Sequence, residues 1–392
     1  VITSECFPTP HLALRTSDPA ALARVQGFAV LQAECAQRLR ARLAAALRAD
    51  PGHRAVRMLL RRLYRDALQW RYDLAVASAG LPGTRGLAHD PERFRTTLSA
   101  GGANFDRLGA IGFLREGSVW DPVSRTYRGG QDTPASVLMR HYGAAAQARF
   151  ATEGCDPGRP DVLSTTVTVP HTGVRIRGNR LVRGAAAREV AAQLVQRIRA
   201  RGLDTSGIES GGDPVYAVTA DPRDAARLRA AAFDLLATAF TRPPQERMWM
   251  WQHARFALFQ GLAMKKGSDA TTRVFLVAVG AVLLAAAPVI EHDADLRCMV
   301  LGQDAALDMP ADRLLPAEPV GVWRWRVEGE TYDHGGFRGS EQAAWDAAYQ
   351  AVRHRYRRRL YEPLWITVGA TEVTVTEHDF AAVMTPHLHN QG

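Results

Sequence analysis

The apolar positions recur at three- and four-residue intervals over most of the chain, and this spacing predicts a helical protein. A first helix starts at Pro19, with Ser17 or Asp18 as its N-cap, and runs to the break at Pro51. A second runs from about residue 55 to 78 and forms a hairpin with the first. "DTPASVLMRHYGAAAQARFAT" reads as a helix capped by Asp132 or Thr133, and "AAAREVAAQLVQRIRARG" as one closed by Gly202. Three successive helices follow from residue 221 to about 287, separated by Pro243-Pro244 and by the Gly267-Ser268 turn.

The period changes to two in a few places. "STTVTVPHTGVRIRGNRLVRG" predicts two strands about a turn at Thr172-Gly173, with a second turn at Gly178-Asn179. "VYAVTA" is a short strand, and residues 100 to 130 carry no clear pattern. In the last seventy residues "VWRWRVEGETYDHGGFRG" and "PLWITVGATEVTVTEHD" alternate as hairpins on either side of a helix capped by Ser340. The fold class expected is therefore α+β: a predominantly helical core with small β-hairpins and a C-terminal β-β-α-β-β unit. "DTSGIESGGDP" is the linker candidate, which divides the chain into 1–203, 213–312 and 318–392.

Composition narrows this only a little. A length of 392 residues predicts more than one core, and the 46% apolar and 23% charged fractions are those of a globular protein. Heavy use of alanine and arginine is the mark of a high-GC bacterial genome. The net charge of +9 suits an anionic partner: nucleotide, nucleic acid, acidic protein or lipid surface. Four scattered cysteines with no C-x-x-C spacing give no zinc or redox motif. The most apolar run, residues 274–290, is about 17 residues long and is broken by Gly280 and Pro288. That fits a buried helix better than a span of roughly 20 residues. No signal-peptide pattern opens the chain at Val1, so an upstream segment or tag is expected to have been removed. The expected location is the cytoplasm, or outside the cell by a leaderless route.

The chemistry concentrates in "LAMKKGSDATTRVFLVAVG". Its Lys265 and Lys266 are the only lysines in the chain; all other basic residues among the 49 are arginine. They stand before Gly267 and before Ser268 or Asp269, the expected N-cap of an apolar helix that continues through Thr271 and Arg273. A helix start offers unpaired N–H groups and partial positive charge, and lysine ammoniums suit phosphate. Lys265, Lys266, Gly267, Ser268, Thr271 and Arg273 are the expected phosphate-binding residues, although GxxxxGK[ST] is absent.

On these residues the stretch resembles the central motif of the Fic/Doc (Fido) superfamily, H-P-F-x-D/E-G-N-G-R-x-x-R between two apolar helices. Gly267 and Arg273 keep the family's glycine and last arginine, and Met264 stands at its phenylalanine. Leu262 stands at its catalytic histidine, Lys266 at its metal-holding acid, Ser268 and Asp269 at its asparagine and second glycine, and Ala270 at its first arginine. The resemblance implies a nucleotide or nucleotide-sugar ligand and transfer of a nucleotidyl, phosphoryl or glycosyl group to a hydroxyl of a protein or small molecule. With the histidine replaced, His253 and Asp269 are the catalytic candidates, no metal is expected, and the cofactor stays open. "TSGIES", residues 205–210, also approaches the family's autoinhibitory [ST]xxxE[GN] stretch. "EHDAD" offers Glu291, His292, Asp293 and Asp295 as a second, weaker cation candidate, read mainly as a solvated turn.

A second reading belongs to the C-terminal unit, which resembles small sheet-plus-helix DNA-binding modules of the AP2/integrase kind. Arg324 and Arg326 on a strand, with Arg353, Arg355 and Arg357 on the helix, would then meet nucleic acid. A third is an effector that acts through protein contacts alone.

Overall fold

The structure, a computed structural model, describes residues 1–8, 19–79, 90–308, 313–315, 323–338, 340–369 and 371–388. The chain divides into two compact units, 1–315 and 316–392. The fold is α+β and predominantly helical.

In the first unit the elements follow as α1 (Pro19–Leu47), α2 (His53–Ala77), α3 (Leu98–Gly101), β1 (Phe105–Leu108), β2 (Val119–Asp121), β3 (Thr126–Arg128), α4 (Pro134–Thr152), β4 (Val162–Thr168), β5 (Arg175–Val182), α5 (Gly184–Arg199), β6 (Val215–Val218), α6 (Pro222–Ala239), α7 (Pro244–Gln260), α8 (Ser268–Leu283), β7 (Ala287–Pro288), α9 (Ala294–Val300), α10 (Gln303–Leu307) and β8 (Leu314–Leu315). The N-cap of the fourth helix is Thr133, whose hydroxyl accepts from Ser136 N while Thr133 N donates to the Ser136 hydroxyl, closing a capping box.

A helical layer forms the larger core. α8 is buried along nearly its whole length and packs against α1, α2 and α7. Its apolar residues have no wet face, which is why the run 274–290 looks almost membrane-like in sequence. Among the described residues, no helix is long and apolar enough to cross a membrane. Tyr64, Phe233 and Phe275 meet edge to face with centroids 5.3–5.7 Å apart, tying α2, α6 and α8 together. Trp251 donates its indole N–H to Leu276 O at 3.1 Å, joining α7 to α8.

Beside this layer lies an antiparallel sheet of order β1-β6-β5-β4. α4 packs with one set of its side chains (Leu108, Leu163, Leu181) and α5 with the alternate set (Val162, Val182, Tyr216, Val218). β6 lies between β1 and β5, so the segment at 204–213 connects two parts of a single sheet. The expected second turn at Gly178-Asn179 is absent, because β5 runs straight through it. A Cβ at Gly178 would lie 2.1 Å from Gln260 Oε1, so the glycine answers a close approach and no change of direction. Gln260, the last residue of α7, accepts from Asn179 N at 2.6 Å and donates to Cys298 O, joining sheet, α7 and α9.

The second unit contains β9 (Trp323–Glu328), β10 (Asp333–Arg338), α11 (Glu341–Arg357), β11 (Leu364–Val368), β12 (Thr371–Val375) and α12 (Phe380–Leu388). Its sheet has the order β10-β9-β11-β12, all antiparallel. Trp325, Val327, Leu364, Ile366 and Val368 point to one face and pack under Trp345, Ala348 and Val352 of α11. Ser340 caps α11 by accepting from Ala343 N. The expected β-β-α-β-β order is present, with α12 added.

Candidate functional site

The stretch from Leu262 to Gly267 is a loop held on both sides. Arg229 of α6 donates to Gly261 O and Leu262 O at 2.7 and 2.9 Å. Leu98 N donates to Ala263 O and Lys265 N to Thr96 O, so Met264 pairs with Thr97 in an isolated antiparallel bridge. Ser268 does not cap α8. Its hydroxyl accepts from Met264 N and donates to Met264 O, which ties the loop to itself. The N-cap is Gly267, with φ of 79°. A Cβ there would fall 2.7 Å from Phe94 Cδ1 and 2.8 Å from Arg71 Cγ, so both conformation and space require glycine.

The two lysines diverge. Lys265 Nζ donates to Gly102 O and Ala103 O at 2.9 and 3.0 Å, satisfying carbonyls at the end of α3. Arg197 donates to the same Ala103 O. Burial, then the charges of Arg197 and Arg93, lower the Lys265 ammonium to about 8, with Asp106 opposing. Lys266 is exposed and lies 5.3 Å from the Phe94 ring centroid, with the Arg71 guanidinium 4.2 Å from the same ring. Among the described residues it has no carboxylate or carbonyl partner within bonding distance.

Around Lys266 the charge is one-sided. Burial lowers its ammonium first, then the charges of Arg93, Arg71 and Arg201, and Asp90 alone opposes them. Burial lowers Arg71 to about 10, and its Nε is buried without a partner. Burial and then Arg201 lower Arg93. Asp90 faces Arg201 at 3.5 Å, while Glu92 of the same turn is engaged by Arg95 and Tyr72. Among the described residues four cations thus share one carboxylate.

On the other side of α8 the charges are matched. Arg273 uses all five of its N–H donors: Nε to Asp269, Nη1 to Ile290 O and Glu291 O, Nη2 to His292 O and Asp295. Burial opposes its charge, but Asp269 and Asp295 outweigh burial and keep it protonated. Arg273 therefore pins the turn after β7, and Asp269 is held by it. Asp293 accepts from Tyr142 Oη at 2.7 Å and pairs with Arg297 at 3.1 Å. These pairings take up Asp293 and Asp295 of "EHDAD". Among the described residues no group of three His, Cys, Asp or Glu side chains could hold a metal ion. Thr271 is fully buried with its hydroxyl unpartnered.

His253 lies elsewhere on α7. It packs on Trp249 at 4.4 Å, Nδ1 faces Gln303 Nε2 at 3.2 Å, and its charged neighbours are Asp304 and His171. It shares no partner with Lys265 or Lys266. Burial lowers its imidazole, with Asp304 opposing. Glu209 of "TSGIES" accepts from Gly112 N and Phe113 N and faces Arg107 at 3.7 Å, anchoring the loop before β2.

Three features had no local signal in the sequence. Arg71, Arg93, Arg197 and Arg201 come from α2, the turn before α3, and α5 with its following turn, and each is one arginine among many. Asp106 on β1 keeps an exposed side chain although the protein is dense around its base. Burial and then Asp295 push its carboxyl up to about 6, with Lys265 opposing. The third is a cavity of about 590 Å³ beside the loop. Tyr64, Leu98, Phe233, Leu262 and Met264 give it apolar walls, and Arg61, Arg65 and Arg229 supply cations. Leu262 and Met264 are the residues at the Fido histidine and phenylalanine positions. Leu68 of the cavity and Arg71 of the cation cluster are three residues apart on α2, within one helical turn.

In the second unit the basic residues also separate. Arg326 is paired with Asp333 and Glu328, and Arg355 with Glu362 and Thr331, so these two serve the fold. Arg324 lies on the same sheet face as Arg326, whereas Arg353 and Arg357 lie on α11. Compared with known proteins, the chain matches no family model and no curated protein.

Proposed function

We propose that the first unit binds a phosphorylated ligand of the nucleotide or nucleotide-sugar class, with its phosphates at Lys266, Arg71, Arg93 and Arg201. The observation that carries this reading is the collection of four cations around Phe94 and the start of α8 with one carboxylate among them. Like charges brought together raise the free energy of the empty protein, and a polyanion relieves that cost on binding. The adjoining apolar cavity supports a ligand with a sizeable non-phosphate part.

The resemblance to the Fido loop supports the same ligand class. Transfer to a hydroxyl, which that resemblance implies, would need a base in place of the histidine replaced by Leu262. Asp106, with its carboxyl pushed up to about 6, is the proton acceptor such a transfer would draw on. The reading divides the labour of the lysine pair: Lys265 secures the α3 end and Lys266 meets the ligand.

A thermal-shift screen against nucleotides, nucleotide-sugars and inorganic polyphosphate tests it, repeated with Lys266→Ala/Arg71→Ala. The expected result is stabilisation of several degrees by one phosphorylated ligand, lost in the double variant. A shift of equal size in the double variant would remove the site.

A further inference from the structure

The second unit carries a separate groove that this reading does not use. It has a volume of about 610 Å³ and runs between α11 and the edge strand β10. Trp325, Tyr332 and His334 line the strand side, and Arg353, His354 and Arg357 the helix side. Among the described residues Asp346 is the one carboxylate in its lining, and it accepts from Gln342. Arg353 and Arg357 make no ion pair among the described residues, unlike Arg326 and Arg355. Trp325 of the strand wall has its indole nitrogen buried with no acceptor among the described residues.

We propose that this groove binds single-stranded nucleic acid, one base entering against the exposed His334 and half-buried Tyr332 above the buried Trp325, and the flanking phosphates meeting Arg353 and Arg357. Cations without counter-charge beside recessed aromatic rings suit a chain that offers both phosphates and stackable bases. Duplex bases are already stacked and cannot reach a wall set back in this way. The groove lies on the helix side of the sheet, opposite the Arg324 and Arg326 face. On that face Arg326 is held by Asp333 and Glu328.

Fluorescence anisotropy on the full chain with short labelled RNA and DNA single strands tests this, alongside the matching duplex and polyglutamate as a competitor. Arg353→Glu/Arg357→Glu changes two solvent-facing ends of α11; circular dichroism checks the fold, and Arg353→Lys/Arg357→Lys keeps the charge. Single strands are expected to bind at low salt, with affinity reduced at least about tenfold by the Glu variant and largely kept by the Lys variant. Arg324→Ala and Lys266→Ala/Arg71→Ala should leave binding within about twofold, which separates this site from that of the first unit. Four results would overturn the proposal: no binding at low salt, unchanged binding in the Glu variant, duplex binding as tight as single-strand binding, or equal displacement by polyglutamate.

Discussion

The two sides of the α8 start carry opposite electrostatic designs. Toward the turn after β7, Arg273 is buried, uses every donor and is matched by Asp269 and Asp295. Toward Phe94, Lys266, Arg71, Arg93 and Arg201 gather with Asp90 alone to balance them. A matched buried charge needs its partners to fold, whereas an unmatched cluster costs free energy until something arrives from outside. On the proposed reading, the contrast separates residues that hold the fold from residues that would meet the ligand.

Breaking the matched side should have the largest effect. Arg273→Met removes five hydrogen bonds and the buried guanidinium that Asp269 and Asp295 pair with, with an expected loss of about 3–5 kcal/mol in urea unfolding. Lys265→Met should cost less, about 1–2 kcal/mol, because Arg197 still bonds Ala103 O. It also carries a pH signature. The folded lysine titrates near 8 and the unfolded one near 10.5. Between these values the unfolded chain holds the extra proton, so wild-type stability should rise with pH relative to the Met variant. Below about pH 8 the difference between the two should be flat.

Asp106→Asn should act in the opposite direction. Its folded carboxyl titrates near 6 and its unfolded carboxyl near 3.8, so the cost of charging it is full above 6 and absent below 3.8. The variant should gain about 1 kcal/mol at pH 7, reduced from the full linkage value because the group is open to water, and nothing at pH 4. Lys266→Ala should have the smallest effect on the free protein, within about 0.5 kcal/mol. Its effect should appear only with ligand present.

The same contrast explains what the sequence could tell. Capped and periodic segments such as α4 and α11 were legible because Thr133, Ser340 and the apolar spacing act locally. β1, β2 and β3 were not, since three or four residues are too short to display alternation. Gly178 looked like a turn because the reason for a glycine there is Gln260, 82 residues away in sequence. The lysine pair was conspicuous in a chain of arginines, but that the glycine beside it answers the packing of Phe94 and Arg71 could not be read from sequence. Arg273, expected to bind phosphate, instead donates to Asp269 one turn earlier in α8 and to carbonyls and a carboxylate from the chain after α8. The arginines around Lys266 are scattered over 130 residues and look like any others in sequence, so only the fold collects them.

The most direct measurement compares unfolding stability in pyrophosphate and in sodium chloride at equal ionic strength, for the wild type and for Lys266→Ala/Arg71→Ala. The account predicts that pyrophosphate stabilises the wild type beyond chloride, by roughly 2.7 kcal/mol at a hundred times its dissociation constant, and that the double variant loses this excess. Equal responses of the two proteins to the two salts would contradict it.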